Sequence, residues 1–513
     1  MNRNVTLACV LTIFVSACGQ APSRDTGQKV YSASCAPCHG ASGKGDGELA
    51  AFLYPRPRDF TRGTYKIRSV MDATPADADL RRVIEHGMSG SAMPAWKGRL
   101  SDQEISSVLS YIKTLAPDAF STPPTQPVRV GTPPDPTPER LSSGKLVYQK
   151  MQCAKCHGER GVGDGPSAAA LKDDLGMPIP PADFTLGIFK GGDDPRDIYT
   201  RFTTGMLGTP MPSFGDLLTD DDRWNLTLYV KSLATESILD DEPQTIVAAM
   251  TSKITDNPYD PVWTKLPPVR VALRPLWQRA RYARLAEVRA AHDGKTLAVH
   301  LVWYDPSEDA SNVEVDRFTD AAAVQFPLST TPGFFGMGAV LSPSNIWHWK
   351  ADIQADIDLR KADHRRRDVE TAYPNMAADA YPFLGKDWSG AAHDDRRRPA
   401  KDYDDPAFLT AWAADNPLAD PERKSPCTEY NAEGPGSLTV QPHGHQSING
   451  AGVWRGGVWT LVLLHELHSG DEMDAMFTMG DERPVAFAIW DGAAGDRDGQ
   501  KVVSQWHKMV LRP

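Results

Sequence analysis

The chain has 513 residues, of which 41% are hydrophobic and 24% are charged, a composition typical of ordinary globular proteins. At about 100–200 residues per domain, this length predicts about three domains. The formal net charge of −11 argues against a nucleic-acid partner, because proteins of that class present a basic face to the phosphates. Two arginine runs, at 365–367 and 396–398, lie among aspartates, and we interpret both as solvated loops.

Residues 1–17 are typical of an export signal rather than of a folded element. Arg3 supplies a positive start, and the apolar run at 5–17 is too short to span a bilayer. The run ends in Val15-Ser16-Ala17-Cys18, which resembles a bacterial lipobox, where the signal is cut before the cysteine and its thiol is acylated. We therefore expect an exported protein that is lipid-anchored through Cys18 to a bacterial membrane, on the periplasmic side. An ordinary secretory signal with an incidental cysteine is the alternative.

An internal repeat organises the N-terminal half of the chain. Its two copies of a Cys-x-x-Cys-His motif are Cys35, Cys38 and His39 and, 118 positions later, Cys153, Cys156 and His157. The same offset relates four further pairs, Gly87 and Gly205, Met88 and Met206, Met93 and Met211, and Pro94 and Pro212. The stretch at 57–60 recurs at 181–184 with six extra positions, so the second copy contains a local insertion. Such a repeat predicts two similar domains.

Each copy is predicted to close with a helix. In the first copy, Ser101 and Glu104 form a capping-box pattern, and apolar residues follow at helical spacing. Residues 117–140 then form a proline-rich stretch, which is typical of an extended, semi-rigid linker. We therefore assign a first unit to residues 27–116 and a second unit to residues 141–234.

The Cys-x-x-Cys-His motif predicts covalent attachment of a c-type haem. Its two thiols add across the haem vinyl groups, and the following histidine becomes the proximal ligand of the iron. A redox dithiol and a zinc site are the alternatives. A redox dithiol needs no adjacent histidine and no βαβ pattern surrounds these cysteines, while a zinc site leaves the downstream Met-Pro unexplained. The predicted attachment sites are Cys35 and Cys38 with His39, and Cys153 and Cys156 with His157.

Met93 and Met211 are the predicted sixth ligands, each 54 residues after its histidine. A thioether is a soft neutral donor, and Met/His ligation raises the reduction potential of haem, which suits electron transfer. Met88 and Met206 are the alternative donors. A Met-Pro just before the last helix resembles class I cytochrome c, and this resemblance implies an all-α fold for both units. The near equivalence of the copies favours electron transfer over a dihaem peroxidase, which needs one open or labile sixth position.

From about residue 245 the sequence becomes rich in short apolar runs bounded by turn residues. The predicted strands are 269–273, 297–304, 321–326, 458–464 and 485–490. Their valine, leucine and aromatic content predicts a β-sandwich or barrel. Residues 351–435 are polar and interrupted by prolines, and we predict a long surface insertion with little regular structure.

Five stretches in this C-terminal unit, residues 245–513, carry a resemblance to a known family. They are 320–327, 335–338, 345–352, 485–492 and 499–506. In them the chain is similar to the haem-binding subunit of ethylbenzene dehydrogenase and to its counterparts in selenate reductase, chlorate reductase and dimethylsulfide dehydrogenase. The resemblance implies a β-sandwich that holds one non-covalent b-type haem between a methionine and a lysine. The matching residues here are Met337 and Lys501.

A lysine ligand makes a chemical demand on its surroundings. A free ammonium has a pKa of about 10.4 and no lone pair, so iron binding requires loss of a proton, which an apolar pocket favours. Other donors in or beside the predicted strands are His348, Lys350, His465, His468, Met479 and His507. Alternation along 347–350 puts the two tryptophans on one face and His348 with Lys350 on the other.

These features predict a multidomain fold with two all-α class I cytochrome c domains and a C-terminal all-β sandwich domain. We expect an electron-carrier subunit and not an enzyme, with two haem c groups and one haem b. By resemblance, its partners are the molybdopterin and iron–sulfur subunits of an oxidoreductase and a soluble or membrane redox carrier. A dihaem enzyme such as a peroxidase, and a dihaem cytochrome with a haem-free docking sandwich, are the alternatives. The remaining Cys427 is expected to be a buried inert thiol.

Overall fold

The computed structural model describes residues 23–235, 242–279, 281–311, 314–329, 332–340, 342–363, 417–420 and 423–513. The predicted signal sequence with Cys18 and most of the predicted insertion lie outside the described residues. None of the helices in the described ranges combines the length and the apolar character that a membrane span requires.

The first and second units are helical. Their helices are α1 (Arg24–Val30), α2 (Ala36–His39), α3 (Asp77–His86) and α4 (Asp102–Lys113), then α5 (Pro138–Lys150), α6 (Ala154–His157), α7 (Pro195–Thr204) and α8 (Asp220–Ser232). A π-helical turn, Tyr31–Cys35, leads into α2. Short 3-10 helices at Ala50–Phe52, Phe60–Arg62, Ala168–Ala170 and Phe184–Leu186 lie in the loops around the two cysteine motifs.

In each unit the first helix crosses the last one at a glycine. A Cβ on Gly27 of α1 would lie 2.2 Å from the carbonyl oxygen of Ser107 in α4. A Cβ on Gly144 of α5 would lie 2.0 Å from the carbonyl oxygen of Asn225 in α8. Only glycine, which has no Cβ, permits backbones to approach so closely. The same crossing therefore organises the apolar core of both units.

The helix predicted after Ser101 is present as α4, and its capping box is formed. The Ser101 hydroxyl accepts a hydrogen bond from the Glu104 amide, and the Glu104 carboxylate accepts one from the Ser101 amide at 2.8 Å. These bonds satisfy amide donors that the start of a helix leaves unpaired. Ile105, Val108 and Ile112 are buried along one face of α4, so the predicted helical periodicity is confirmed.

The C-terminal unit is built on strands. They are β1 (Thr245–Met250), β2 (Val269–Ala272), β3 (Arg274–Pro275), β4 (Leu285–His292), β5 (Thr296–Tyr304), β6 (Ala321–Pro327), β7 (Ser344–Lys350), β8 (Cys427–Ala432), β9 (Thr439–Val440), β10 (Asn449–Trp454), β11 (Val458–Glu466), β12 (Glu482–Trp490), β13 (Val502–Val503) and β14 (His507–Leu511). The strand order along the main path is β10-β11-β5-β4-β1-β14-β12-β6-β7-β8-β9. All five predicted strands are present.

The sheet is mixed, which differs from a purely antiparallel sandwich. Strand β1 pairs in parallel with both β14 and β4, while the other pairings of the main path are antiparallel. Two helices, α9 (Val262–Lys265) and α10 (Ala351–Asp363), also belong to this unit, so its description as all-β needs correction. Helix α9 has four residues and α10 has thirteen, and the first residue of α10, Ala351, belongs to the apolar core of this unit.

Three tryptophans mark where the core of the C-terminal unit lies. Trp303 of β5 and Trp459 of β11 face each other on neighbouring strands. Trp349 of β7, which is distant in the strand order, packs its ring 4.9 Å from that of Trp459. The sheet therefore folds over itself and encloses these rings. His348 and Lys350 lie on the opposite face of β7 from the buried Trp347 and Trp349, as the alternation predicted.

The prediction of little regular structure across 351–435 is wrong at both ends. Helix α10 starts directly after β7, and β8 is fully buried and paired with β7. The polar composition of β8 did not predict a strand, because its polar side chains are hydrogen-bonded within the core. For example, the Asn345 side-chain amide donates to the Glu429 carboxylate at 2.9 Å. Buried polar groups persist when they are hydrogen-bonded in this way.

The first unit contacts the C-terminal unit directly, although the second unit lies between them in chain order. The Tyr54 ring stacks on Trp277 with 5.3 Å between ring centroids. The Tyr54 amide donates to the carbonyl oxygen of Leu276 at 2.9 Å. On another side, Arg82 of α3 forms an ion pair with Asp197 of α7 and so joins the first unit to the second.

Candidate functional sites

The first site is built around His39, at the end of α2. The His39 Nδ1 lies 2.9 Å from the carbonyl oxygen of Arg58. Because a carbonyl oxygen can only accept, the proton is on Nδ1 and the lone pair is on Nε2. The ring stacks on Phe60 with centroids 4.3 Å apart. The hydrogen bond and the stacking together fix both the tautomer and the orientation of the imidazole, as metal-ligating histidines require.

Burial keeps this imidazole neutral. It lowers the pKa of His39 to about 4, so the ring carries no charge at neutral pH and its Nε2 is available as a ligand. Burial also raises the pKa values of Cys35 and Cys38 to about 12, so neither sulfur is a reactive thiolate. The motif is therefore unsuited to redox cycling as a dithiol.

The second site repeats this geometry. His157 Nδ1 lies 3.0 Å from the carbonyl oxygen of Ala182, and its ring stacks 4.3 Å from Phe184. In both sites a buried tyrosine clamps the turn after the motif. The Tyr31 hydroxyl donates to the Gly40 carbonyl at 2.8 Å, and the Tyr148 hydroxyl donates to the Gly158 carbonyl at 2.7 Å.

A cavity of about 550 Å³ in the first unit brings the predicted ligands together. Its walls include Cys35, Cys38, His39, Met93 and Met88, with apolar residues of α3 and α4 between them. His39 and Met93 thus face one space although 54 residues separate them. The volume lies within the range of cofactor pockets, and an imidazole with a thioether is a known axial pair for c-type haem.

Arg99, a partly buried cation in the wall of this cavity, supports the fit of a haem. The Arg99 guanidinium lies 4.4 Å from the Trp96 ring centroid, and within the described ranges its Nη1 has no hydrogen-bond partner. A buried unpaired N–H is costly, so this donor calls for an anionic group. The carboxylate substituents of a haem have that character.

The second unit places Met211 as the first places Met93. The Met206 amide donates to the Met211 carbonyl at 3.1 Å, and the Met88 amide donates to the Met93 carbonyl at the same distance. Met211 packs against the apolar cluster that includes Cys153 and Phe214. The loop that carries the methionine therefore has one conformation in both units, and the choice between the two methionines of each unit stays a prediction.

The C-terminal unit contains a second cavity, of about 490 Å³. Met337, on the loop before β7, and Lys501, just before β13, both line it. These two residues were predicted as a ligand pair from the family resemblance, and they are 164 positions apart in sequence. Trp490 and Tyr430 supply aromatic walls. A methionine and a lysine facing one apolar cavity fit an axially ligated b-type haem.

Lys501 has the environment that a lysine ligand needs. It is 5% exposed, and its Nζ lies 4.8 Å from the centroid of the Trp490 ring. Burial lowers the pKa of Lys501 to about 8, which brings the neutral amine within reach at physiological pH. Lys350 lines the same cavity, but its amino group lies 3.6 Å from the Asp352 carboxylate and so already has an ion-pair partner.

His348 is the competing donor in this cavity. It lines the wall, and within the described part of the chain its Nε2 is buried without a hydrogen-bond partner. Burial lowers the pKa of His348 to about 3, so the imidazole is neutral. His465 instead belongs to a buried hydrogen-bonded network, and His507 accepts at Nδ1 from the Gln244 amide at 3.0 Å.

His468 and Met479 do not line the cavity of the C-terminal unit. Cys427 also lies apart from it, and burial raises the pKa of its thiol to about 12. Within the described residues, this cavity thus brings together Met337, Lys501, His348 and Lys350, and the other candidate donors, His465, His468, Met479 and His507, lie elsewhere.

Comparison with known proteins divides the chain in the same way. The family model described as ethylbenzene dehydrogenase matches residues 260–502, and that of cytochrome c oxidase, cbb3-type, subunit III, matches 22–112 and 139–230. Chlorate reductase subunit gamma of Ideonella dechloratans is 32% identical over 264 residues, which span 49% of this chain and 78% of that subunit. This chain belongs to the ethylbenzene dehydrogenase family of haem subunits.

Two further relatives each match less than half of this family member. Dimethylsulfide dehydrogenase subunit gamma of Rhodovulum sulfidophilum is 26% identical over 266 residues, 48% of this chain and 72% of that subunit. The cbb3-type cytochrome c oxidase subunit FixP of Azorhizobium caulinodans is 28% identical over 221 residues, 41% of this chain and 60% of that subunit. The predicted resemblance, tandem cytochrome c units joined to an ethylbenzene dehydrogenase-like unit, is confirmed.

Several residues that build the sites were missed by sequence reasoning. Phe60 and Phe184 were recognised as a repeat, but not as the rings that stack on the histidines. Tyr31 and Tyr148 were not recognised at all. The latter pair, like Gly27 and Gly144, is separated by 117 positions, so a search tolerant of a one-residue shift upstream of the motif finds both pairs.

Proposed function

We propose that this chain is an electron-carrier subunit with three haem groups. Two haem c groups are bound covalently, by Cys35 and Cys38 with His39 and by Cys153 and Cys156 with His157, and Met93 and Met211 are their sixth ligands. One haem b is held between Met337 and Lys501 in a two-layer sandwich that the folded sheet of the C-terminal unit forms. The bound haems supply one-electron chemistry, and the chain supplies ligands, orientation and burial.

The observation that carries the proposal is the meeting of Met337 and Lys501 in one cavity. The lysine is buried and lacks, within the described ranges, a carboxylate at ion-pair distance. Burying an ammonium without such a partner costs free energy, whereas a neutral amine that binds iron avoids this cost. The surroundings of Lys501 therefore favour a role as an amine ligand over a structural role as a charged lysine.

The partners follow from the relatives. The matched gamma subunits belong, by name, to chlorate reductase and dimethylsulfide dehydrogenase. By that analogy, the C-terminal unit contacts the iron–sulfur subunit of a molybdoenzyme, and the two cytochrome units pass electrons to or from an external redox carrier. Export and lipid anchoring at Cys18, on the periplasmic side of a bacterial membrane, complete the proposal and rest on the lipobox-like sequence alone.

Haem content tests the proposal most directly. The full chain, produced in cells competent in cytochrome maturation, is analysed by pyridine haemochrome spectroscopy and by mass spectrometry of the intact protein. We expect two covalent haems, one further haem that acid–acetone extracts, and a lipid-modified Cys18. Two haems with none extractable would remove the haem b and leave the dihaem cytochrome with a docking sandwich.

Paired substitutions identify the ligands of the extractable haem. Lys501→Ala should abolish the low-spin signal of that haem, and Lys350→Ala, in the same cavity, should preserve it. His348→Ala tests the competing histidine ligand, and it should preserve the low-spin signal if Lys501 is the ligand. Retention of the low-spin spectrum by Lys501→Ala together with its loss in His348→Ala would assign the iron to the histidine.

A further inference from the structure

The two cavities share one wall. Leu49 and Leu53 of the first unit and Phe334 of the C-terminal unit line both of them. The loop at 332–340 presents Met337 to the cavity of the C-terminal unit and Phe335 to that of the first unit. A single layer of side chains therefore separates the two sites, and both sides of this layer are apolar.

One backbone segment ties Lys501 to the first unit. Strand β3 pairs with β13, which begins at the residue after Lys501. The amide of Leu276 donates to the carbonyl oxygen of Lys501 at 3.1 Å, and the carbonyl oxygen of Leu276 accepts from the Tyr54 amide at 2.9 Å. Leu276, the residue that follows β3, is thus hydrogen-bonded both to the candidate ligand Lys501 and to Tyr54 of the first unit.

The same segment reaches the methionine of the first unit. The Arg274 Nη1 donates to the carbonyl oxygen of Met93 at 3.2 Å, and the guanidinium lies 5.9 Å from the Phe335 ring centroid. Arg274 is 7% exposed. A buried guanidinium remains charged at neutral pH and holds its acceptor with charge-assisted strength.

The second unit is held differently. A hydrogen bond between the C-terminal unit and the second unit runs from Arg284 Nη2 to the Leu186 carbonyl oxygen at 2.6 Å. That carbonyl belongs to the 3-10 helix beyond Phe184 and not to the loop that carries Met211. Arg284 is therefore a matched comparison for Arg274: an arginine from the same unit that contacts the other cytochrome away from its methionine.

We propose that Arg274 is a positioning residue through which the C-terminal unit holds Met93, and that this contact couples the first cytochrome site, and not the second, to the Met337 and Lys501 cavity. The inference rests on the proposed function. A fixed positive charge near a redox centre favours its reduced form, because reduction lowers the positive charge at the centre. Arg274 is thus expected to raise the reduction potential of the first c-type site alone.

Spectroelectrochemical titration of the full, haem-loaded chain tests this inference. The c-type potentials are first assigned with Met93→His and Met211→His, which change the ligand set of one site each. In Arg274→Gln we expect a fall in the potential of the first c-type site, with a weakened methionine–iron absorption, and no change in the second site. Arg284→Gln should leave the first site unchanged, and Arg274→Lys, which keeps the charge, should restore part of the potential.

The outcomes separate this inference from the proposed function. Absence of an extractable haem rejects the haem b but leaves the Arg274 contact testable on the two covalent haems. A chain with its full haem content in which Arg274→Gln shifts neither c-type potential, or shifts both equally, overturns the inference. If Arg274→Gln loses haem, the Arg274→Lys variant supplies the comparison: a smaller fall in potential confined to the first c-type site supports the inference, and no shift or an equal shift of both sites overturns it.

Discussion

His465 Nε2 lies 3.0 Å from the Glu429 carboxylate, and both side chains are fully buried in the C-terminal unit. The other ring nitrogen, Nδ1, lies 2.6 Å from the Glu466 carbonyl oxygen, so both nitrogens face acceptors and both must carry protons. Burial opposes the resulting charge, but hydrogen bonds to Asp474 and Glu429 outweigh it and raise the pKa of His465 to about 9.

This pair makes the stability of the C-terminal unit depend on pH. A histidine whose pKa is higher in the folded state stabilises it fully below the unfolded value of about 6.5, and this stability is lost as pH rises through about 9. We expect the urea midpoint of the full chain to fall between pH 7 and pH 10. His465→Gln should lower the free energy of unfolding at pH 7 by about 3–5 kcal/mol, as loss of one partner of a buried pair does. If the urea midpoint of His465→Gln falls between pH 7 and pH 10 as steeply as that of the wild type, His465 is not the source of this pH dependence.

Replacement of Asp305 is expected to raise the free energy of unfolding, whereas replacement of His465 lowers it. Burial, together with Asp320 and Asp491, raises the pKa of Asp305 to about 8. The folded state therefore binds a proton that the unfolded state releases near pH 4, and stability falls as pH rises from about 4 to about 8. Asp305→Asn, which can still accept from the Ser307 amide, should be more stable than the wild type at pH 8 and equal to it near pH 4. A less stable variant at pH 8 would show that the carboxylate itself is needed there.

The glycine crossings predict a steric penalty. Gly27→Ala and Gly144→Ala place a methyl group within 2.2 Å and 2.0 Å of a carbonyl oxygen of the crossing helix. We expect each to destabilise its own unit by about 1–3 kcal/mol, as overpacking does, with loss of covalent haem incorporation in that unit only. Gly131→Ala in the linker, where a Cβ meets nothing within 4 Å, is the matched control. Haem yield per unit, read by mass spectrometry of tryptic peptides, separates the two variants.

The ion pair between Arg82 and Asp197 is expected to hold the first and second units together. Arg82→Gln should loosen their contact and speed proteolysis in the segment 121–137, which has no helix or strand. Arg140→Gln, which breaks the exposed pair with Asp221 inside the second unit, should leave the cleavage rate unchanged. Equal cleavage of all three proteins would show that the pair does not hold the units together.

Local patterns accounted for most of the secondary structure around the sites. The capping box at Ser101 and the apolar periodicity after it specify α4, because both are interactions within a few residues. The strands at 297–304 and 458–464 were found for the same reason. Strand β8 was missed because its polar residues are satisfied by Asn345 and other groups of distant strands, which no local pattern contains.

By itself, the sequence determined where haem can be attached, since two thiols and a histidine within five residues define a complete local chemistry. It also named Met337 and Lys501, but only through resemblance, because a lone methionine and a lone lysine carry no signal of their own. Tertiary structure alone decided that these two residues face one cavity and that the first cytochrome unit, rather than the second, shares its wall. Packing of distant strands, through contacts such as Leu276 with Lys501 and Arg274 with Met93, sets that arrangement, and such contacts leave no trace in chain order.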